Sequence, residues 1–227
     1  MSAEQKTILI VGANGALGQL IAAKLSAAGY SVIGTARTNE SAASLPTTLK
    51  QGLLLDLESQ DSINTLTNYL AQNPLDGIVI ASGMVGFGSI QETSASNASR
   101  LMQINHLGPA AVISGLLPTL ANSANEPFVA SISGVVAEKV FPGMSAYVAS
   151  KTAHSTWLRA FALEARRAKV RVLDARPGHT ETGLATRALF GTAPAFPTGF
   201  APESVAETIV RGIIDGLTEL PSESFTQ

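Results

Sequence analysis

The chain of 227 residues carries a formal net charge of −2, with 45% of its residues hydrophobic and 14% charged. That balance excludes a disordered chain and supports a sizeable buried core. The lack of a basic excess argues against nucleic acid or a membrane surface as a partner. There is no cysteine, which rules out disulfides and thiolate metal sites, and His106, His154 and His179 lack metal-ligand spacing, so no metal is expected. No apolar run reads as reaching membrane-spanning length. Met1 to Lys6 holds no apolar stretch, so no signal peptide is expected and a cytoplasmic protein is the default.

Thr7 to Val11 is an apolar, β-branched run that reads as a buried strand. Gly12-Ala13-Asn14-Gly15-Ala16-Leu17-Gly18 follows at once, and then Leu17, Leu20, Ile21, Leu25 and Ala28 recur at helical spacing until Gly29. A glycine loop between a strand and a helix lets a pyrophosphate approach free backbone amides at the positive end of the helix dipole. Ser31 to Ala36 is the second strand, and Arg37 follows it with no carboxylate before Glu40. An acidic residue there would bond a ribose 2′-hydroxyl, whereas an arginine suits a 2′-phosphate, which favours NADP over NAD. Gly52 to Leu55 is the third apolar run and ends at Asp56-Leu57. Ser59 then caps a helix with Ile63, Leu66 and Leu70 on one face.

Gly77 to Ala81 is the fourth strand, running into the glycine-rich Ser82 to Gly88. A long helical pattern covers Ser94 to Leu120 with Pro109 inside it. Proline cannot donate to the carbonyl four residues back, so Asn105 is expected to keep a free C=O in mid-helix. Phe128 to Ile132 is the fifth strand, followed by Ser133-Gly134. A helix from about Ala146 to Ala168 carries Tyr147 and Lys151, and the basic cluster Arg166, Arg167, Lys169 and Arg171 complements its dipole. Tyr147 and Lys151 are four residues apart, hence on one helical face. An ammonium beside a phenol lowers the phenol's pKa from about 10 towards the range useful for proton transfer.

Arg171 to Ala175 is the sixth strand and leads to Pro177-Gly178. Gly183 to Gly199 lacks periodicity and reads as a lid or binding loop. Pro202 to Leu217 is a last helix, no strand is evident after it, and Pro221 to Gln227 reads as a loose tail. Alternating strands and helices without a linker predict a single domain over 1–227. Its fold class is α/β, a Rossmann-type doubly wound parallel sheet with helices on both faces.

These landmarks together resemble the short-chain dehydrogenase/reductase family over nearly the whole chain. They occur in the family's order: the loop Gly12 to Gly18, Asp56, Gly83, Asn105-His106-Leu107-Gly108, Tyr147-x-x-x-Lys151 and Pro177-Gly178 before Thr182. The resemblance implies that Gly12, Asn14, Gly15 and Leu17 hold the pyrophosphate of NADP(H) and that Arg37 meets its 2′-phosphate. It places Asp56 and Leu57 at the adenine, Gly83 at the nicotinamide ribose, and Pro177, Gly178 and Thr182 at the nicotinamide. Tyr147 would be the proton-transfer residue, Lys151 would hold the ribose and tune it, and the Asn105 carbonyl would hold a relay water. The implied activity is NADP-dependent hydride transfer between nicotinamide and a carbonyl or secondary alcohol of a small, mostly apolar substrate. Val85, Phe87, Phe141, Met144 and a substrate loop at about 179–200 would wall the pocket. The resemblance also implies a homodimer or homotetramer paired through the helices Ser94–Leu120 and Ala146–Ala168.

The sequence departs from the family pattern in four places. The loop reads G-x-x-G-x-x-G, with Ala16 where the core group has glycine, a spacing more usual in extended and atypical branches. Ala81 replaces an asparagine that braces the sheet, which implies a local stability cost. The catalytic serine falls where Gly134 stands, leaving Ser133 one residue early, able to serve only if the chain bulges. The usual last strand is missing. Two alternatives follow: an NADP-binding sensor or scaffold without dehydrogenase chemistry, and an epimerase or dehydratase of the extended branch.

Overall fold

The computed structural model of the protein describes residues 5–226; Met1 to Glu4 of the N-terminal reading and Gln227 of the tail lie outside them. Seven strands form one sheet: β1 (Thr7–Val11), β2 (Ser31–Ala36), β3 (Gln51–Leu54), β4 (Gly77–Ile80), β5 (Phe128–Ile132), β6 (Arg171–Ala175) and β7 (Glu219–Leu220). Their order is β3-β2-β1-β4-β5-β6-β7, and every neighbouring pair is parallel. Parallel strands are covered on both faces, so they read as continuous apolar runs. In β1, Ile8 and Ile10 face α1 (Ala16–Ala27) and α7 (Pro202–Ile214), while Leu9 and Val11 face α3 (Gln60–Leu70), α5 (Gly108–Ala121) and α6 (Ser145–Ala165). This is the doubly wound fold expected. The chain leaves β1 towards β2 on one side and β4 lies on the other, so a crevice opens beyond the strand ends where ligands bind in such sheets.

The helix expected to be kinked over Ser94 to Leu120 is three pieces: α4 (Ala95–Met102), a π-helical turn (Gln103–Leu107) and α5. Pro109 breaks the ordinary ladder, and the chain resets it with a wider turn in which the Gly108 N–H donates to the Gln103 carbonyl five residues back. That turn holds Asn105. The continuous stretch Ala95–Ala121 is 27 residues long and by length and apolarity could span a membrane, contrary to the sequence expectation. Its residues Val112, Ile113, Leu116 and Leu120 instead pack in the core. A short helix that periodicity missed, α2 (Asn39–Ala42), follows β2, with the Thr38 hydroxyl accepting from the Ser41 N–H.

Two C-terminal expectations are corrected. A last strand exists: β7 pairs Glu219 with Asp174 and Leu220 with Ala175. Two residues are too few for a periodic signal. The tail is not loose as far as it is described, because Phe225 is 5% exposed and packs with Ile209, Ile213 and Leu220. Phe225→Ala is expected to lower unfolding free energy by about 3 kcal/mol, read by urea denaturation; a loss under about 1 kcal/mol would place this ring outside the cooperative core.

Candidate active site

The strand-to-helix turn after β1 is shaped for close backbone approach. Gly12 has φ +83°, and a side chain on it would meet the Ser82 backbone at 2.9 Å; one on Gly18 would come within 2.1 Å of the Gly12 carbonyl oxygen. Gly15 caps α1 without a side-chain hydrogen bond. The first N–H groups of α1 are therefore left for an anion, at the positive end of the helix dipole. This cradle fits the pyrophosphate of a dinucleotide. Beyond it, Arg37 is exposed at the end of β2 and lines the cleft with Thr38 and Ser41, while Glu40 does not. Asp56 lines the same cleft and accepts from the Glu58 N–H at 2.9 Å, with Leu57 beside it.

α6 carries Tyr147 and Lys151 on one face, 9% and 6% exposed. The Lys151 ammonium donates to the Ile132 carbonyl at the end of β5, at 2.8 Å. A side chain on Gly83 would lie 3.5 Å from Lys151 Nζ and 3.7 Å from Asn105 Oδ1. Asn105 is a clamp: its Oδ1 accepts from the Met84 N–H at 2.8 Å, and its Nδ2 donates to the Met84 carbonyl at 2.8 Å and to Ser150 Oγ at 2.9 Å. The expected acidification of Tyr147 is absent from this structure. Burial pushes its phenol up to about 12. Burial also brings Lys151 down to about 8, against the opposing pull of the Asp174 charge. Desolvation dominates at both groups because both are buried.

Ser133 lines the cleft beside Gly134, but its hydroxyl is committed to Asp174, which argues against the catalytic role expected of it. The chain does turn there, since the Ser133 and Gly134 N–H groups both donate to the Ala175 carbonyl and Gly134 has φ +81°. The Ser133 hydroxyl, however, is fully buried and donates to Asp174 Oδ1 at 2.5 Å. Asp174 also accepts from Ser155 Oγ at 2.6 Å and Arg176 Nη1 at 3.1 Å. At Gly134 an added Cβ would sit in ordinary contact with the Pro177 carbonyl oxygen at 3.8 Å without a clash, but on a backbone at φ +81° that side chains resist.

The segment 179–200 roofs the cleft. The Phe87 N–H donates to the Phe190 carbonyl, the Leu189 N–H to the Val85 carbonyl, and Thr180 pairs with Phe200. The resulting cavity of about 720 Å³ is lined by Gly12, Asn14, Gly15, Leu17, Arg37, Asp56, Leu57, Gly83, Tyr147, Lys151, Pro177, Gly178 and Thr182. Of the residues expected at the site, Asn105 stands behind this wall, and Ser133 contributes no hydroxyl to it. Val85, Phe87, Phe141, Met144 and Phe196 form its apolar end. Arg187 also lines it, which no periodicity in the roof segment could have signalled.

Ser133→Ala is expected to cost about 1–3 kcal/mol in stability, because it strips a donor from buried Asp174. Catalytic turnover should stay within about threefold, whereas loss of a donor to the reacting oxygen would cost about 10²–10³. Lys151 has a folded pKa near 8, below its ordinary 10.5. The folded protein thus binds fewer protons than the unfolded chain between those values. Stability relative to Lys151→Met is expected to fall by about 3 kcal/mol as pH drops through that window and to stay level below it. Denaturant titrations across pH read this.

The short chain dehydrogenase family model matches residues 6–189. The uncharacterized oxidoreductase YmfI of Bacillus subtilis is 30% identical over 187 residues, 79% of this chain and 76% of that protein. Dehydrogenase/reductase SDR family member 7B of Xenopus tropicalis is 25% identical, over 96% of this chain and 77% of that one. Among solved structures, a short-chain dehydrogenase from Streptomyces avermitilis superposes with a TM-score of 0.83 at 25% identity, covering 96% of this chain and 88% of the other. A short-chain dehydrogenase from Sphingobium yanoikuyae in complex with NADPH does so at 0.86 and 20% identity, covering 95% and 87%. With the glycine cradle, the Tyr147–Lys151 face and the parallel sheet in one frame, the chain belongs to the short-chain dehydrogenase/reductase family of NAD(P)-dependent oxidoreductases.

Proposed function

We propose that this protein is an NADPH-dependent reductase of small, mostly apolar carbonyl compounds. The observation that carries this reading is a tyrosine one turn from a buried lysine, both lining a cavity continuous with the glycine cradle and Arg37. Arg37, Thr38 and Ser41 form a pocket suited to a 2′-phosphate. A guanidinium forks onto phosphate oxygens, while the Thr38 and Ser41 hydroxyls bond each other and the local backbone and hold the turn beside it. Gly12, Asn14, Gly15 and Leu17 would hold the pyrophosphate, Asp56 and Leu57 the adenine end, and Gly83, Lys151, Pro177, Gly178 and Thr182 the nicotinamide end. When bound, the dinucleotide supplies a hydride to the carbonyl carbon. Tyr147 gives its proton to the carbonyl oxygen, and Lys151 stabilises the phenolate left behind and returns a proton to it. Val85, Phe87, Phe141 and Met144 hold the apolar part of the substrate and exclude water. Leu107 on the π-helical turn and Leu163 on α6 remain exposed, which suits pairing of these helices in a homodimer.

One observation favours a second reading. With Ser133 committed to Asp174 and glycine at 134, the reacting oxygen has lost a donor, as in a protein that binds the dinucleotide as a sensor. Turnover separates the two. NADPH oxidation over a panel of aldehydes and ketones is expected, with aldehydes faster because they need less help from the missing donor. Tyr147→Phe should reduce the rate by about 10² or more; tight NADPH binding with no turnover anywhere would favour the sensor. Arg37→Ala is expected to weaken NADPH binding about 10- to 100-fold while leaving NADH binding nearly unchanged, read by fluorescence titration. Light scattering at micromolar concentration should give twice the chain mass or more, and a monomer would remove the dimer.

A further inference from the structure

Four side chains lining the cavity can carry positive charge: Arg37, Lys151, His179 and Arg187. Three of them have a partner or a task. Arg37 stands at the end suited to a 2′-phosphate. The Lys151 ammonium donates to the Ile132 carbonyl at 2.8 Å, and the His179 ring faces the Glu181 carboxylate at 3.4 Å. Arg187 is left over. It is exposed and forms no ion pair among the described residues.

The glycine cradle has the opposite deficiency. Gly12 to Gly18 holds no basic residue, and the only basic residue of α1 is Lys24, in its last turn. The free N–H groups and the helix dipole amount to about half a positive charge, whereas a pyrophosphate carries two negative ones. The path of the roof brings the spare cation to this place. The Leu189 N–H donates to the Val85 carbonyl and the Phe87 N–H to the Phe190 carbonyl, so the roof and the extension of β4 advance in the same direction. Followed back from that pairing, Ala188 and Arg187 run towards Gly83 and Ser82. Those two residues join the cradle to the nicotinamide end. A side chain on Gly12 would start 2.9 Å from the Ser82 backbone, and one on Gly83 would start 3.5 Å from Lys151 Nζ.

The guanidinium is also held in place. Thr182 to Arg187 form a turn closed by the Arg187 N–H donating to the Leu184 carbonyl at 3.1 Å, and Arg187 Nη2 reaches back to the Thr182 carbonyl at 3.3 Å. That bond uses one of five N–H donors, and the guanidinium makes no other hydrogen bond among the described residues. A cation held in position, with most of its donors free, is suited to forked contact with phosphate oxygens.

We propose that Arg187 binds the pyrophosphate of the dinucleotide from the roof side, facing the backbone amides of the glycine cradle. Its ligand is the part that NADPH and NADH share, whereas the ligand of Arg37 is carried by NADPH alone. The inference rests on a dinucleotide occupying this cleft and does not depend on turnover.

The test is the dinucleotide affinity of Arg187→Gln, read by fluorescence titration with NADPH and with NADH. Both are expected to bind about 10-fold or more weakly, in contrast to the NADPH-selective loss expected of Arg37→Ala. Arg187→Lys, which keeps the charge and loses the fork, should fall between the variant and the wild type. Adenosine 2′-monophosphate, which has the 2′-phosphate and no pyrophosphate, should bind Arg187→Gln as tightly as the wild type by calorimetry. Unchanged affinity for both dinucleotides would overturn the proposal and leave the reductase reading intact. So would a loss confined to the KM of carbonyl compounds that bear a carboxylate, which would assign the guanidinium to the substrate. A wild-type protein that binds neither dinucleotide would refute the reductase reading itself.

Discussion

A positive charge kept inside the protein organises the cleft. Taking the Lys151 ammonium out of water costs several kcal/mol unless other groups replace its hydration. Here the Ile132 carbonyl accepts from it and the Asp174 charge pulls in the favourable direction. Both partners belong to strands, so the lysine fixes α6 against the ends of β5 and β6 and carries Tyr147, one turn earlier, into a set position. The Asn105 clamp then joins the π-helical turn to α6 through Ser150 and to the extension of β4 through Met84. Asp174 needs donors of its own, and Ser133 and Ser155 supply them. The serine that sequence position suggests for the cleft is therefore part of the electrostatic support of the lysine.

That commitment has a chemical consequence. Gly134, at φ +81°, adopts a backbone conformation that side chains resist, so the donor is not lost through a single replaced side chain; the local turn is built without it. Under the proposed reading, the reacting oxygen would have Tyr147 alone on this flank. A missing oxyanion donor is worth about 3–4 kcal/mol elsewhere, so rate must come from holding the substrate well and from the substrate's own electrophilicity.

What could be read from the sequence and what could not divide along a physical line. The strands β1, β2 and β4, the glycine cradle and the Tyr147–Lys151 face are local patterns of apolar runs, tight turns and one-turn spacing. Pro109 correctly signalled a break at Asn105, because the missing N–H is a property of the residue itself. Its resolution as a wider turn depends on what packs around it. The direction of the Ser133 hydroxyl could not be read from the sequence because it is decided by Asp174, 41 residues away. The acidity of Tyr147 failed for a related reason: spacing gives the neighbour but not the burial, and burial won. β7 and the buried Phe225 are short segments held only by tertiary contacts, which leave no periodic trace. His106 and His154 looked like isolated histidines for the same reason, since only the fold brings their rings together.

The roof over the apolar end bears on how a substrate is selected. An irregular stretch of this length often works as a lid, and a lid selects by closing only on the right molecule. Here the segment is already joined by backbone hydrogen bonds to Val85 and Phe87 and paired through Thr180 and Phe200. It also packs inward, with the His179 and Phe196 rings 4.8 Å apart and Phe196 6.0 Å from Phe87. Opening it would break these contacts together, so it behaves as a wall. Phe141 and Phe196 both line the cavity and both reach the surface. A fixed apolar wall discriminates weakly, about 1–3 kcal/mol per methylene. A pocket of this kind favours substrates by size and hydrophobicity and accepts a range of them, which fits a carbonyl reductase of broad rather than narrow choice.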